Sequence, residues 1–143
     1  MKDENDRLYE FRVCYNEGSY HSAVNSYHYY QAYNAEDPDA LRAFYHPEVE
    51  FISAQGVQHG PDGIIATYQY LIAMFHDKMT PTNIAISGDT AVVSIEDNFT
   101  AKQAIDDFMG MTLKKGESFT LHLTGTYQAE AGQFKKITID MQT

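Results

Sequence analysis

From Ser22 to Glu36 the residues Val24, Tyr27, Tyr30, Ala32 and Tyr33 recur at helical spacing behind Ser22, and the pattern predicts a helix. A second, short helix is predicted from Asp37, because Asp37-Pro38-Asp39 supplies a cap, a proline at the first helical position and an acid in the first turn. Leu41, Phe44 and Tyr45 then face inward, and His46-Pro47 is expected to end it. Val49, Phe51 and Ser53 alternate with Glu50, Ile52 and Ala54, as in a strand. After the glycine-bounded turn Gly56 to Gly60, Pro61-Asp62 opens a third predicted helix. Its Ile64, Ile65, Tyr68, Leu71, Ile72 and Phe75 form a wide apolar stripe.

The rest of the chain reads as sheet. Residues 83–87 and 90–100 flank the turn pair Gly88-Asp89, a hairpin signal. Residues 101–110 interrupt the pattern, a second hairpin is expected to turn at Lys114-Lys115-Gly116-Glu117, and a long strand follows over 118–129. Gly132 marks the last turn before a closing strand over 134–142. Helices followed by an antiparallel meander predict an α+β fold, with helices packed on one face of a curved sheet.

Residues 1–21 differ: Asp3, Glu4, Asp6, Glu10 and Glu17 are mixed with Lys2, Arg7 and Arg12 around scattered apolar positions, and they are expected to form a polar arm preceding a domain over 22–143. The whole chain has 143 residues, one domain's worth, with 20 acidic against 10 basic residues and a net charge of -10. That balance argues against nucleic acid or an anionic membrane as partner. The single cysteine, Cys14, offers neither an internal disulfide nor a thiolate metal site. No apolar run reaches the length of a membrane span and the first residues lack the apolar stretch of a secretory signal, so the expectation is a cytoplasmic protein. The six histidines show no metal-ligand spacing, and no glycine-rich phosphate loop is present; neither metal nor cofactor is expected.

Several strings, taken in this order, resemble a known superfamily. Tyr30-Gln31-Ala32-Tyr33-Asn34-Ala35-Glu36-Asp37-Pro38-Asp39-Ala40-Leu41 and Phe44-Tyr45-His46-Pro47-Glu48-Val49-Glu50-Phe51 resemble the opening of SnoaL-like, nuclear transport factor 2-like domains. Gly60-Pro61-Asp62-Gly63-Ile64 resembles the start of their third helix, and residues 119–139 their last two strands. The resemblance implies a cone: a curved antiparallel or mixed sheet wrapped around a long N-terminal helix, with two further helices, an apolar cavity at the open end and a homodimer. It implies no single activity, because the superfamily holds ketosteroid isomerases, polyketide cyclases, epoxide hydrolases, dehydratases and binding modules. The expected partner is an apolar, ring-bearing or polyketide-like small molecule. The expected role is cofactor-independent isomerisation or cyclisation, the alternative being a non-catalytic ligand-binding or dimeric assembly module.

The composition, 11 Tyr and 8 Phe without Trp, gains meaning from that resemblance. Aligned on Asn34-Ala35, Tyr29 falls on the tyrosine that donates to the substrate oxyanion in ketosteroid isomerases, with Tyr45 and Tyr68 on tyrosines that support it; packing of the cone is the alternative role. Ser53 falls where those isomerases carry their aspartate base, and Thr124 or Gly125 where they carry a second acid, which argues against that particular chemistry. Epoxide hydrolases of the superfamily use an arginine with two aspartates; here the only arginines are Arg7, Arg12 and Arg42. Three other acid/base candidates come from strand patterning. Asp97 shares the Ala91, Val93, Ile95, Phe99 face, where burial would raise its pKa or a rim position would leave it in water; His122 lies on a threonine-rich face; Asp140 lies opposite Ile137 and Ile139. Tyr33 and Phe108 complete the candidate substrate-binding set, Phe108 lying in Phe108-Met109-Gly110-Met111, which reads as a lid or a bulged connection.

Overall fold

In the computed structural model residues 28–142 are described; the polar arm and the Ser22 cap expected from the sequence lie outside them. Helix α1 covers residues 28–34 and ends where Glu36 takes a left-handed conformation (φ 56°). Helix α2 (Pro38–Arg42) is built as its sequence dictates, since Asp37 accepts from the Ala40 N–H at 3.1 Å and Pro38 opens the first turn. It ends earlier than expected. His46 and Pro47 belong to strand β1 (Tyr45–Ser53), with Pro47 exposed. Strand β2 (Gly56–His59) pairs antiparallel with β1 before helix α3 (Pro61–Met74), which turns Ile64, Ile65 and Tyr68 into the core.

The largest departure from the sequence reading follows α3. Phe75 opens strand β3 (Phe75–Ser87) instead of closing the helix, so the hairpin with β4 (Thr90–Ala101) is far longer than the 83–87 expectation. Pairing runs from Phe75↔Ala101 to Ser87↔Thr90, with a register irregularity between Pro81 and Asn83 that accommodates the proline without ending the strand. A small separate hairpin of β5 (Ile105–Phe108) and β6 (Met111–Leu113) follows, turning at Met109-Gly110, where both φ values are positive (52° and 80°). The turn at 114–117 is therefore no hairpin between paired strands. It leads from β6 into β7 (Ser118–Glu130) and is tied to the end of β4, Gly116 N–H donating to the Ala101 carbonyl at 2.8 Å. Strand β8 (Gln133–Met141) closes the chain.

The main sheet has the order β2-β1-β8-β7-β4-β3, antiparallel except where β1 runs parallel to β8, which makes it mixed. Its inner face carries Phe51, Ile137, Tyr127, Leu123, Val93 and Ile95; its outer face carries Thr120, Thr124, Thr126 and Thr138. Two apolar clusters fill the concave side. One is rich in tyrosine and centres on Tyr29, whose ring lies 5.1–6.4 Å from those of Tyr30, Tyr33, Phe44, Tyr45, Tyr127 and Phe134. The other is built from Phe75, Phe99, Phe108 and Phe119. Gly125 makes room for the first: a Cβ there would lie 2.7 Å from the Tyr127 ring, which leans back along its own strand.

Candidate functional site

Asn34, at the end of α1, fixes the helix on the sheet by imitating a strand. Its side chain donates to the Met79 carbonyl at 2.8 Å and accepts from the Met79 N–H at 2.7 Å. This clamp sets Tyr33 beside β3, where its hydroxyl donates to Asp77 Oδ2 at 2.5 Å. Tyr68 of α3 closes the same corner, donating to the Tyr33 carbonyl at 2.5 Å. Nearby, Glu36 is bonded by Lys102 and by His76 Nδ1, and Lys102 also donates to the Ile72 carbonyl, so the ends of α1 and α3 and the adjoining strand ends are tied together. Lys102 is the leading cause that lowers the Glu36 pKa below the usual carboxylate value.

Asp77 and Asp97 are both only 3% exposed. Asp97 faces Met79 and Leu121 across the sheet and lies between Ile95 and Phe99 on its own face; Asp77 is opposite Phe99, hence one diagonal step from Asp97. The two carboxyls are close enough that each shifts the protonation of the other. On each, the buried oxygen Oδ1 has no hydrogen-bond partner, a deficit that one proton shared between the carboxyls would relieve. Burial pushes the Asp97 pKa up to about 10, with the adjacent Asp77 adding to the shift. Burial raises that of Asp77 too, but its bonds to Asp97 and Tyr33 favour its charged form, so Asp77 ionises first. Two like carboxyls sharing one proton thus carry one negative charge. Among the described residues no Lys, Arg or His makes an ion pair with either.

Asp97 stands on the wall of a cavity of about 490 Å³ between the sheet and the helices. Tyr29, Tyr33, Tyr45, Tyr68 and Tyr127 line it together with Phe51, Phe99 and Phe108, and among the described residues no Lys, Arg or His does. Tyr29 and Tyr45 share a hydroxyl–hydroxyl bond of 2.8 Å, and Tyr30 donates to Tyr127 at 3.0 Å. Burial raises the pKa of all four phenols, so at neutral pH they are donors with fixed partners. Tyr68, pushed up to about 12 by burial, is likewise neutral. At the mouth Val57, Tyr70, Met109 and Met141 are 50–63% exposed yet line the same cavity, an apolar collar around its entrance.

With the cone, its cavity and its parallel β1–β8 pair in place, the sequence match acquires a structural meaning: residues 27–137 match the SnoaL-like domain. The chain belongs to the SnoaL-like domain family. Similar solved structures include TsrD from Streptomyces laurentii, 23% identical over 85% of this chain and 88% of that one, with a TM-score of 0.70. IdmH, a putative polyketide cyclase from Streptomyces antibioticus, is 17% identical over 85% and 91% of the two chains (TM-score 0.71). An epoxide hydrolase from M. tuberculosis is 9% identical over 85% and 83% (TM-score 0.69). At these identities the likeness is one of fold. Among curated proteins none matches the chain significantly.

Within this SnoaL-like cone the sequence-predicted residues separate. Tyr29, Tyr45, Tyr68, Tyr33, Ser53, Phe108 and Asp97 all line the cavity. The expected support of Tyr29 by Tyr68 is corrected, since Tyr68 bonds the Tyr33 carbonyl, and it is Tyr45 that bonds the Tyr29 hydroxyl. Ser53 bonds Gln55 near the mouth, with no acid beside it. His122 and Asp140, candidates for the acid/base, do not line the cavity. Strand alternation puts Leu121 and Leu123 on the inner wall, so His122 is exposed on the outer face, and Asp140, opposite Thr124, is exposed there as well. Asp77 was missed: it lies in 75–82, where the apolar stripe of α3 runs on into Phe75 and Pro81 hides the strand. The alternation Phe75, Asp77, Met79, matching Phe99 and Asp97 across the hairpin, was the available signal.

Proposed function

We propose that this SnoaL-like protein is a cofactor-independent acid–base enzyme that isomerises or cyclises an apolar, ring-bearing small molecule. The observation that carries this reading is the buried Asp77–Asp97 pair, of which Asp97 stands on the wall of an aromatic cavity. One proton between two carboxyls provides an acid and a base in one place. When it rests on Asp77, Asp97 is a carboxylate facing the cavity and takes a proton from a carbon next to a substrate carbonyl. Tyr29, held by Tyr45, donates to the oxygen on which charge develops, and Asp97 returns the proton at the new position. Tyr33 holds Asp77 in place. The putative cyclase among the similar structures fits carbon-acid chemistry of this kind.

The test is deuterium exchange next to the carbonyl in a panel of cyclic ketones and enones in D2O, followed by NMR. The wild type is expected to accelerate exchange for the substrate-like members, and Asp97→Asn to lose on the order of 10²–10⁴-fold. Binding of the same compounds with no exchange above buffer would leave a non-catalytic binding module as the reading.

A further inference from the structure

A single negative charge sealed into an apolar wall is costly unless a cation answers it. Among the described residues none does. The groups facing the carboxyl pair are Tyr33 from α1, Tyr68 from α3, Met79 from β3, Phe99 from β4 and Leu121 from β7. Of the basic side chains at that corner, Lys102 is bonded to Glu36 and to the Ile72 carbonyl and His76 to Glu36, and Glu36 itself adds to the negative field at Asp77. His122 points outward from the sheet. The cavity in front of the pair is walled by nine aromatic rings, and ring faces attract cations. One Asp97 oxygen, Oδ1, is buried with no hydrogen-bond partner.

We infer that the ligand of this cavity carries a protonated amine on its apolar ring body, the ammonium N–H donating to Asp97 while the aromatic rings surround the cation. On binding, the shared proton settles on Asp77 and leaves the negative charge on Asp97, so no proton leaves the protein. The ring body occupies the aromatic chamber, and the collar of Val57, Tyr70, Met109 and Met141 receives whatever apolar part extends outward. This inference rests on the cavity being the ligand site, and it names the substrate class for the activity proposed above.

Three compounds of one shape separate the charge from the shape: aminoadamantane (an ammonium ion at neutral pH), adamantanol and adamantanecarboxylate, titrated calorimetrically into the protein. At pH 7 the ammonium ion is expected to bind at least about tenfold more tightly than the alcohol, with the carboxylate weakest. The double variant Asp77→Asn/Asp97→Asn should bind ammonium and alcohol alike. In the unaltered protein, acidification that protonates both carboxyls should weaken the ammonium and leave the alcohol unchanged, a readout that stands even if the double variant does not fold. Alcohol binding as tight as ammonium binding, or an ammonium preference that survives acidification, overturns the inference while leaving the cavity reading intact. Binding of none of the three overturns both.

Discussion

The two aromatic clusters on the concave side of the sheet use the same ring in different ways. Around Tyr29 the rings end in hydroxyls that find one another, at 2.8 Å for Tyr29 with Tyr45 and 3.0 Å for Tyr30 with Tyr127. Around Phe75 the rings carry no polar atom, and Phe99 and Phe119 stack at 5.0 Å with planes 9° apart. Asp77 and Asp97 lie at the seam, Asp77 opposite Phe99 and bonded to Tyr33. The phenyl side withholds hydrogen bonds from the carboxyls and raises their pKa; the tyrosine side supplies the one donor that orients them. Neither cluster alone would produce a protonated acid held in a fixed position.

The most damaging way to break this contrast is to empty the phenyl side. Phe75 is fully buried, and Phe75→Ala is expected to cost about 3–5 kcal/mol in urea denaturation. Exchanging one oxygen between the clusters is subtler. Phe75→Tyr adds a hydroxyl where no acceptor waits and should cost about 3 kcal/mol, whereas Tyr127→Phe strands the Tyr30 hydroxyl and should cost about 1–2 kcal/mol. Equal costs for the two exchanges would mean that the clusters do not differ in polar satisfaction.

The carboxyl pair gives a pH signature. Asp97 keeps its proton to about pH 10 in the folded state, while in the unfolded chain it ionises near its ordinary value of 3.8. Above that value the unfolded state binds fewer protons than the native state, so this group's contribution is full below about pH 4 and declines as pH rises. Unfolding free energies from pH 5 to 7 should therefore fall in the wild type by up to ~1.4 kcal/mol per pH unit from this group, and Asp97→Asn should flatten the slope. The smallest effect is expected at the collar. Tyr70→Ser should change stability by no more than about 0.5 kcal/mol because the side chain is exposed, yet weaken any ligand that reaches the mouth.

Much of the fold was legible because local chemistry and tertiary structure agree. Asp37-Pro38 caps α2, Gly88-Asp89 turns the β3–β4 hairpin, and the inward alternation of Ala91, Val93, Ile95 and Asp97 follows the pleat. The reading lost its way where two periodicities overlap: Phe75 continues the α3 stripe and also opens β3, and Pro81 sits within a paired strand at a register irregularity. That overlap hid Asp77. Asp97 was legible as an acid on an apolar face, but its neighbour was not, and a pair is chemically different from a single acid. The sequence could not settle the place of His122, because alternation shows that a strand has two faces without saying which one meets the helices; Leu121, Leu123 and Tyr127 decide it.

Everything proposed for the cavity depends on the Asp77–Asp97 pair holding a proton at neutral pH. Infrared difference spectroscopy of wild type against Asp97→Asn reads this directly. A protonated-carboxyl C=O band present at pH 7, absent from the variant and lost only as pH approaches about 10, is the expected result. A wild type that shows only ionised carboxylate at pH 7 would contradict the account.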